Sequence, residues 1–259
     1  MADIRVENLY FRYPNRFRHP GEVALDGFSA TFLDRKFNVI IGGSGAGKTT
    51  LLRILLGLED DYEGGVAFGK INADELPAKQ REIGYVSQDI ALYPQYTLFQ
   101  NIAFPLQGAH APADEIRERV FAVAELLKIR ELLSRKPREL SVGQNQRAAI
   151  ARALIRNPRY CFFDEPFSNV DQENANQIRS ELKPLLTSRG ITVLFVTHQI
   201  PEALQLADRL FVMEHGKLLQ AGDPQTVVNS VNPAVHDYFA ELKWWSFMAK
   251  TQNKPFFVS

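Results

Sequence analysis

From Val39 to Thr50 the chain reads Val-Ile-Ile-Gly-Gly-Ser-Gly-Ala-Gly-Lys-Thr-Thr, and few stretches restrict a fold so tightly. The apolar run Phe37, Val39, Ile40 and Ile41 enters a glycine-rich turn and leaves through Lys-Thr-Thr into Leu51, Leu52, Ile54 and Leu55. That is the pattern of a buried strand, a phosphate-binding loop and a helix. Gly42, Gly45 and Gly47 let the backbone turn its N–H groups inward with no Cβ in the way, while the helix starting near Lys48 adds the positive end of its dipole. Gly43, Ser44, Ala46 and Thr50 complete the cradle. The spacing predicts a nucleoside triphosphate site in which Lys48 reaches the β- and γ-phosphates and Thr49 places its hydroxyl on Mg²⁺. A ligand-free glycine turn is the alternative, and the strand and helix on either side weigh against it.

A chain of 259 residues forms one large domain or two modest ones. Hydrophobic residues at 45% and charged residues at 23% are those of a soluble globular protein. With 30 basic against 30 acidic residues, no overall field draws it onto nucleic acid or an anionic membrane, so no nucleic-acid partner is expected. The single cysteine, Cys161, excludes an intrachain disulfide and fits a reducing cytoplasm. The first residues lack the basic and apolar segments of a signal peptide, and no apolar run reaches about 18 residues. A membrane role is therefore expected to come through a partner.

Ile4–Tyr13 alternates as a strand and Phe28–Phe32 as a second, which predicts an antiparallel β layer ahead of the loop. Between them, Pro14–Gly21, with Arg16, Arg18 and His19, reads as a solvated hairpin tip. Lys48–Leu58 is apolar on nearly every face, as an enclosed helix would be. Glu63–Gly69 reads as a turn and short strand, and Ile83–Ser87 as a strand ending at Gln88. From Asp89 to Leu106 the chain reads as a loop rich in Leu92, Tyr93, Tyr96, Leu98, Phe99 and Phe104, a composition suited to docking. Gly108–Asp114 is a break. Helical spacing follows at Ile116, Val120, Val123 or Ala124 and Leu127, and again at Ala148–Ile155 before the stop at Asn157-Pro158. Tyr160–Phe163 and Ile191–Val196 read as buried strands of a parallel βαβ sheet, Leu210–Gln220 as a hairpin turning at Glu214-His215-Gly216, and Pro224–Leu242 as mostly helical.

A phosphate loop needs a carboxylate on a neighbouring strand end to hold Mg²⁺, usually through water, and Asp164 follows four apolar residues. Glu165 beside it is placed to be the general base that polarises the attacking water. Without the loop, such an acid pair is otherwise a common solvated cap. His198, also at a strand end, is a candidate for the γ-phosphate or for a structural role, and Gln88 for sensing metal or water or for an ordinary loop amide.

Taken together, Gly42–Thr49, Gln88, Leu140-Ser141-Val142-Gly143-Gln144, Phe162-Phe163-Asp164-Glu165-Pro166, Ser168-Asn169-Val170-Asp171 and Thr197-His198 resemble, in order and spacing, an ABC-transporter ATPase subunit. The resemblance runs from about Ile4 to about Leu242. It implies an α/β P-loop NTPase fold with a mixed or parallel core sheet, an antiparallel β layer and a helical subdomain at about 89–157 inserted in a domain 1–242. The remainder, 243–259, is a short tail with Trp244, Trp245, Phe247, Phe256 and Phe257, expected to pack on its own domain or on a partner. The resemblance further implies ATP and Mg²⁺ as ligands, adenine stacked on Tyr13 with Tyr10 or Phe11 as substitutes, and a second ABC ATPase subunit, the same or different, paired head to tail. Ser141, Gly143 and Gln144 of one subunit would close on the γ-phosphate held by the other, and Asp171 would reach across. A serine at a helix start suits that task, since it offers a hydroxyl and free N–H groups to an anion. Dimer closure would then drive a mechanical stroke.

The same resemblance implies integral membrane permease subunits docking near 89–104, an indirect solute-binding protein outside, and a peripheral place on the cytoplasmic face of the membrane. Leu92-Tyr93-Pro94 and Asn101-Ile102-Ala103-Phe104-Pro105-Leu106 look most like the sugar-importer branch, many of whose members carry a C-terminal regulatory domain; a chain of this length is expected to lack one, so that either the regulation is absent or the sugar assignment is wrong. An ABC ATPase of assembly or repair is the alternative class, and a small-molecule kinase has no use for Leu140–Gln144. Two positions depart from the pattern. Val142 stands where the family usually has glycine and is expected to resist a positive φ and leave the trans site slower or differently arranged, as in a heteromeric pair with one weaker site, or else to be simply tolerated. Gln199 stands where an acid often follows the histidine.

Overall fold

A computed structural model of the chain describes residues 3–14, 21–108 and 111–240. Strands β1 (Ile4–Arg12), β2 (Val23–Phe32) and β3 (Phe37–Ile41) precede helix α1 (Lys48–Leu56). Then come β4 (Glu63–Phe68), β5 (Ile71–Asn72), β6 (Ile83–Val86), α2 (Leu98–Gln107), α3 (Ala113–Leu126) and α4 (Val142–Leu154). The chain continues through β7 (Tyr160–Asp164), α5 (Gln172–Ser188), β8 (Thr192–Thr197) and α6 (Ile200–Leu206) to β9 (Arg209–Glu214), β10 (Lys217–Gly222), α7 (Pro224–Val228) and α8 (Pro233–Tyr238). The expected hairpin tip with Arg16, Arg18 and His19, the middle of the Gly108–Asp114 break, and the tail with Trp244, Trp245, Phe247, Phe256 and Phe257 lie outside the described residues.

One unit takes the chain up to Arg81 and again from Phe195. Its antiparallel sheet has the order β2-β1-β4-β5. The alternation of β1 changes phase in the middle: Ile4 and Val6 are buried, then Leu9 and Phe11. A strict two-residue period would send the second pair to the opposite face. Asn8, at φ 49°, sits where the β1–β2 register shifts between Val6 and Leu9, and the added residue restores both pairs to the core.

In the same unit β3 runs parallel to β9, and β9 pairs antiparallel with β10, so this layer is mixed. The β9–β10 turn is made by His215 and Gly216 at φ 45° and 75°, the two positive angles that a right-twisted hairpin requires. The enclosed helix expected at Lys48–Leu58 ends two residues sooner, because Gly57 enters the left-handed region and its N–H returns to the carbonyls of Arg53 and Ile54. Arg81 completes that end. Its Nη1 donates to the carbonyls of Ile54 and Leu55 at 2.9 and 2.8 Å, meeting acceptors the helix leaves open and placing a cation at the negative end of the dipole.

The second unit is Glu82–Leu194. There β6 and β7 pair in parallel, Ile83 with Tyr160 through Val86 with Phe163. Gly84 lets α4 ride directly on β6, since a Cβ at this position would lie 2.5 Å from the carbonyl oxygen of Ala153. Helix α4 begins at Val142, well before the alanine-rich Ala148–Ile155 stretch, because Ser141 caps it. Arg147 of α4 donates to Glu181 of α5 at 2.6 Å, and Lys128 reaches the other oxygen at 2.7 Å.

The segment expected to be a loop from Asp89 to Leu106 is partly a helix. Thr97 and Gln100 form a reciprocal capping box, and Leu98, Ile102 and Leu106 at four-residue spacing are buried on α2. Pro105 near its end and the many aromatics conceal that pattern. Pro224–Leu242 likewise divides into α7 and α8, each opened by an Asx cap, Asp223 or Asn232, with proline next in sequence.

Candidate functional site

The glycine turn follows β3 and opens α1, as its spacing requires. Gly47 is the N-cap at φ 95°, and Gly45 is at 76°. Ala46 N–H reaches the Gly43 carbonyl at 3.3 Å, and the Ala46 carbonyl accepts from Gly216 N–H at 3.1 Å, which ties the loop to the β9–β10 turn. A Cβ on Gly42 would lie 2.2 Å from the Met213 carbonyl oxygen, whereas one on Gly43 meets nothing within 4 Å. The inner wall is thus filled by backbone while Gly43, Ser44 and Gly45 form an exposed rim.

The first turn of α1 carries no acid, so no carboxylate of its own opposes an anion at its positive end. Lys48 is buried, and its ammonium donates to the carbonyls of Gly42 and Gly43 at 2.9 and 2.8 Å, which holds the charge over the loop. Thr49 is exposed. Thr50 is buried, with its hydroxyl 3.0 Å from the Tyr13 hydroxyl. Tyr13 also meets the Phe11 ring edge-on at 5.0 Å and stays 36% exposed while its hydroxyl is tethered to α1.

His198, exposed, leaves the end of β8. Its neighbours are anchored inward. Gln199 N–H donates to Thr197 Oγ1 at 3.0 Å, and that hydroxyl donates to the Glu202 carboxylate.

The other candidates belong to the second unit. Asp164, the last residue of β7, is buried at 3% exposure, and Tyr85 donates to its Oδ2 at 3.4 Å. Glu165 follows at φ 44°, a left-handed conformation that costs a non-glycine residue about 1–2 kcal/mol. Its carbonyl accepts from Ser168 N–H at 3.2 Å, which closes the turn over Pro166 and Phe167. Gln88 is exposed two residues past β6. Ser141 N–H donates to Gln144 Oε1 at 3.0 Å, and Gln144 N–H to Ser141 Oγ at 3.2 Å. That box occupies one first-turn N–H; those of Val142 and Gly143 have no acceptor within the helix.

Val142 is the first residue of α4 and is absent from the positive-φ positions, so the expected conflict between its β-branch and a left-handed backbone does not arise. Asp171 caps α5. Its oxygens accept from Asn174 N–H at 3.0 Å and Asn174 Nδ2 at 2.7 Å, and these hydrogen bonds, the backbone one first, hold its carboxyl below the usual range. The phosphate loop, Tyr13 and His198 thus sit in one unit, and Gln88, Ser141, Gly143, Gln144, Asp164, Glu165 and Asp171 in the other.

Asn101, which the sequence offers only as part of the importer-like stretch Asn101–Leu106, has a role in shaping that segment. It is fully buried, accepts from Tyr93 N–H at 2.7 Å, and donates to the carbonyls of Tyr93, Tyr96 and Thr97 at 3.1, 3.3 and 3.0 Å. The amide folds the segment so that Tyr93, Tyr96 and Phe104 cluster, with Tyr93 and Phe104 rings 4.8 Å apart and both exposed. An Asn four residues past the Thr97 cap, three after Leu98 and next to Ile102, was the available signal. Among the described residues, no helix is long and apolar enough to cross a membrane.

Residues 25–168 match the family model described as ABC transporter. The trehalose/maltose import ATP-binding protein MalK of Thermococcus litoralis is 46% identical over 234 residues, 88% of this chain and 61% of that protein. The sn-glycerol-3-phosphate import ATP-binding protein UgpC of Chromohalobacter salexigens is 43% identical over 88% of this chain and 60% of its own length. The oligosaccharides import ATP-binding protein MsmX of Bacillus subtilis is 39% identical, with shares of 88% and 61%. The chain therefore spans about three fifths of the length of the curated relatives it matches. Among solved structures, the dimeric structure of MJ0796, a bacterial ABC transporter cassette, superposes with a TM-score of 0.76 at 29% identity, over 86% of this chain and 99% of that one.

Proposed function

We propose, from the premise that this chain belongs to the ABC transporter family, that it is the subunit that binds and hydrolyses ATP to drive a membrane importer. The observation that carries the reading is the backbone-walled glycine cradle with Lys48 held over it at an acid-free helix start. Such a cradle receives a polyphosphate, and Lys48 would exchange its carbonyl partners for the β- and γ-oxygens.

Tyr13 would present its ring to adenine while Thr50 holds its hydroxyl. Glu165 would accept the proton of the attacking water, with the strained turn after β7 fixing where its carboxylate points. His198 would hold the γ-phosphate, and Gln88 would contact the metal or the water. The donor set of Thr49 hydroxyl and Asp164 carboxylate is hard oxygen, which suits Mg²⁺ shared with phosphates; bound there, the ion would neutralise charge on the β- and γ-oxygens. Ser141, Gly143 and Gln144, with the first-turn N–H groups of α4, would meet the γ-phosphate held by a second subunit, and Asp171 would lie at the same interface. The solved relative MJ0796 is a dimeric cassette, which supports that pairing.

The relatives' names speak of trehalose/maltose, glycerol phosphate and oligosaccharide import, so the solute proposed here is a sugar or a similar polyhydroxylated molecule. The Tyr93–Tyr96–Phe104 cluster, with Tyr93 and Phe104 exposed, would receive a cytoplasmic segment of the permease, placing the chain at the inner face of the membrane. The test is phosphate release from ATP by the purified protein, expected to be lost in Lys48→Ala. Recovery of no integral membrane protein with the chain from detergent-solubilised membranes would favour an ABC ATPase with no transport role.

A further inference from the structure

The segment that carries His198 is braced from beneath by a polar pair. Thr197 and Glu202 are buried at 1% and 2% exposure, while His198 between them faces solvent. The Thr197 hydroxyl works on both sides: it accepts from Gln199 N–H at 3.0 Å and donates to Glu202 Oε2. The chain therefore leaves β8 at Thr197, passes through His198, and has its next amide fastened back to the residue it just left. Gln199, extended at φ −94° and ψ 113°, is the N-cap of α6 without a side-chain capping bond, and its carbonyl accepts from Ala203 N–H at 3.1 Å. Pro201 in the first turn fixes one more φ.

Burying a carboxylate and a hydroxyl is costly unless they are paired, and an apolar pair of similar volume would fill the same space without that cost. What the polar pair adds is direction. A hydroxyl bonded on both sides fixes the rotamer of Thr197 and the peptide of Gln199, the two backbone attachments of His198. We propose that Thr197 and Glu202 are positioning residues that aim the His198 imidazole at the γ-phosphate of ATP. This rests on the ATPase reading above and adds two buried residues that act through the histidine.

The test uses the full chain with Thr197→Val, Thr197→Ser, Glu202→Gln and His198→Ala. Thr197→Val removes the shared hydroxyl at nearly constant volume. It is expected to speed hydrogen exchange of the Gln199 amide roughly threefold to tenfold, the loss of about one hydrogen bond. It should lower kcat for ATP about tenfold or more with KM changed less than about twofold, as for a misaimed transition-state contact. Thr197→Ser restores both readouts. Glu202→Gln, which weakens the acceptor and keeps its shape, moves both in the same direction by less. In the His198→Ala background, Thr197→Val takes nothing further from the residual single-turnover rate, because the clamp acts only through the imidazole. Unchanged Gln199 exchange in Thr197→Val, or a full additional loss of rate in the His198→Ala background, overturns the proposal. If the unmodified chain releases no phosphate from ATP, the ATPase reading falls, and the exchange measurement still decides whether the clamp exists.

Discussion

A Cβ placed on Gly47 would lie 2.3 Å from the carbonyl oxygen of Ala24 on β2. The loop glycines therefore divide by what surrounds them. Gly47, at φ 95° and against backbone, has neither a conformation nor a space for alanine; Gly43 has open space. Gly47→Ala is expected to cost at least about 2 kcal/mol from strain and overlap together. Gly43→Ala should change stability by less than about 0.5 kcal/mol. Urea denaturation of the two variants checks this, and equal losses would show that the wall yields.

Glu165, proposed above as the base, holds a backbone conformation that glutamate adopts at a cost. Glu165→Gln should leave ATP bound and lower turnover by about a hundredfold to ten-thousandfold. Glu165→Asn should be as inactive, yet more stable than the Gln variant by a few tenths to about 1 kcal/mol, because Asn enters the left-handed region more readily. Turnover assays and paired melting curves test both halves. Full turnover in Glu165→Gln removes it as the base.

Asn101 joins α2 to the aromatic segment before it through four hydrogen bonds. Asn101→Leu takes the partner from the Tyr93 N–H and the Tyr96 carbonyl, while the Tyr93 and Thr97 carbonyls keep the backbone N–H groups of Tyr96 and Asn101, and it should cost roughly 1–3 kcal/mol. At a temperature where the variant remains folded, its intrinsic ATP hydrolysis should stay within about twofold of normal while recovery of a membrane partner falls. Intact recovery would detach the Tyr93–Tyr96–Phe104 cluster from docking.

Much of the frame was legible in local pattern. The strand, turn and helix at 37–56 follow from apolar run, glycine spacing and Lys-Thr-Thr, and the β9–β10 hairpin from His215-Gly216. What escaped depends on contacts between residues far from one another or on overlapping signals. Helix α2 carries a readable Thr97–Gln100 box, but Pro105 and a run of aromatics argue for a loop. The bulge at Asn8 breaks the two-residue period only because Gly64 opposite it leaves room, a Cβ there lying 2.5 Å from the Asn8 carbonyl. The φ of Glu165 is imposed by the turn after β7, and nothing in an Asp-Glu-Pro string announces it. The clamp under His198 needs Thr197 and Glu202 brought together by α6, five residues apart on different elements.

Tyr62 offers a pH test of the first unit. Its hydroxyl donates to Asp74 Oδ1 at 2.9 Å; burial foremost, then that bond and the Asp74 charge, push its pKa up to about 12. A raised folded pKa means that the unfolded chain releases the proton first. The contribution is whole below about pH 10 and is lost as pH rises toward 12. Stability should therefore fall across that window, and Tyr62→Phe should flatten the fall there. An identical slope in the variant would assign the alkaline loss to other groups.

Val142 is the position where the structure most changes an expectation. It is the first residue of α4, between the reciprocal Ser141 and Gln144 bonds, with ordinary helical backbone and 46% exposure. No positive φ is required, so glycine has no strain to relieve at this place. Gly143, the next residue, is buried against Asn174, whose Cβ would be 3.4 Å from an added methyl, so the closely packed position of the segment is already glycine. Val142→Gly should then cost about 0.5–1 kcal/mol of helix stability through the freedom of the unfolded chain. Turnover should change by less than about threefold. Circular dichroism melts with ATPase rates at saturating ATP check both. A rise well beyond threefold would locate the effect in the isopropyl group itself, exposed at the start of α4, and would make that side chain a brake on turnover.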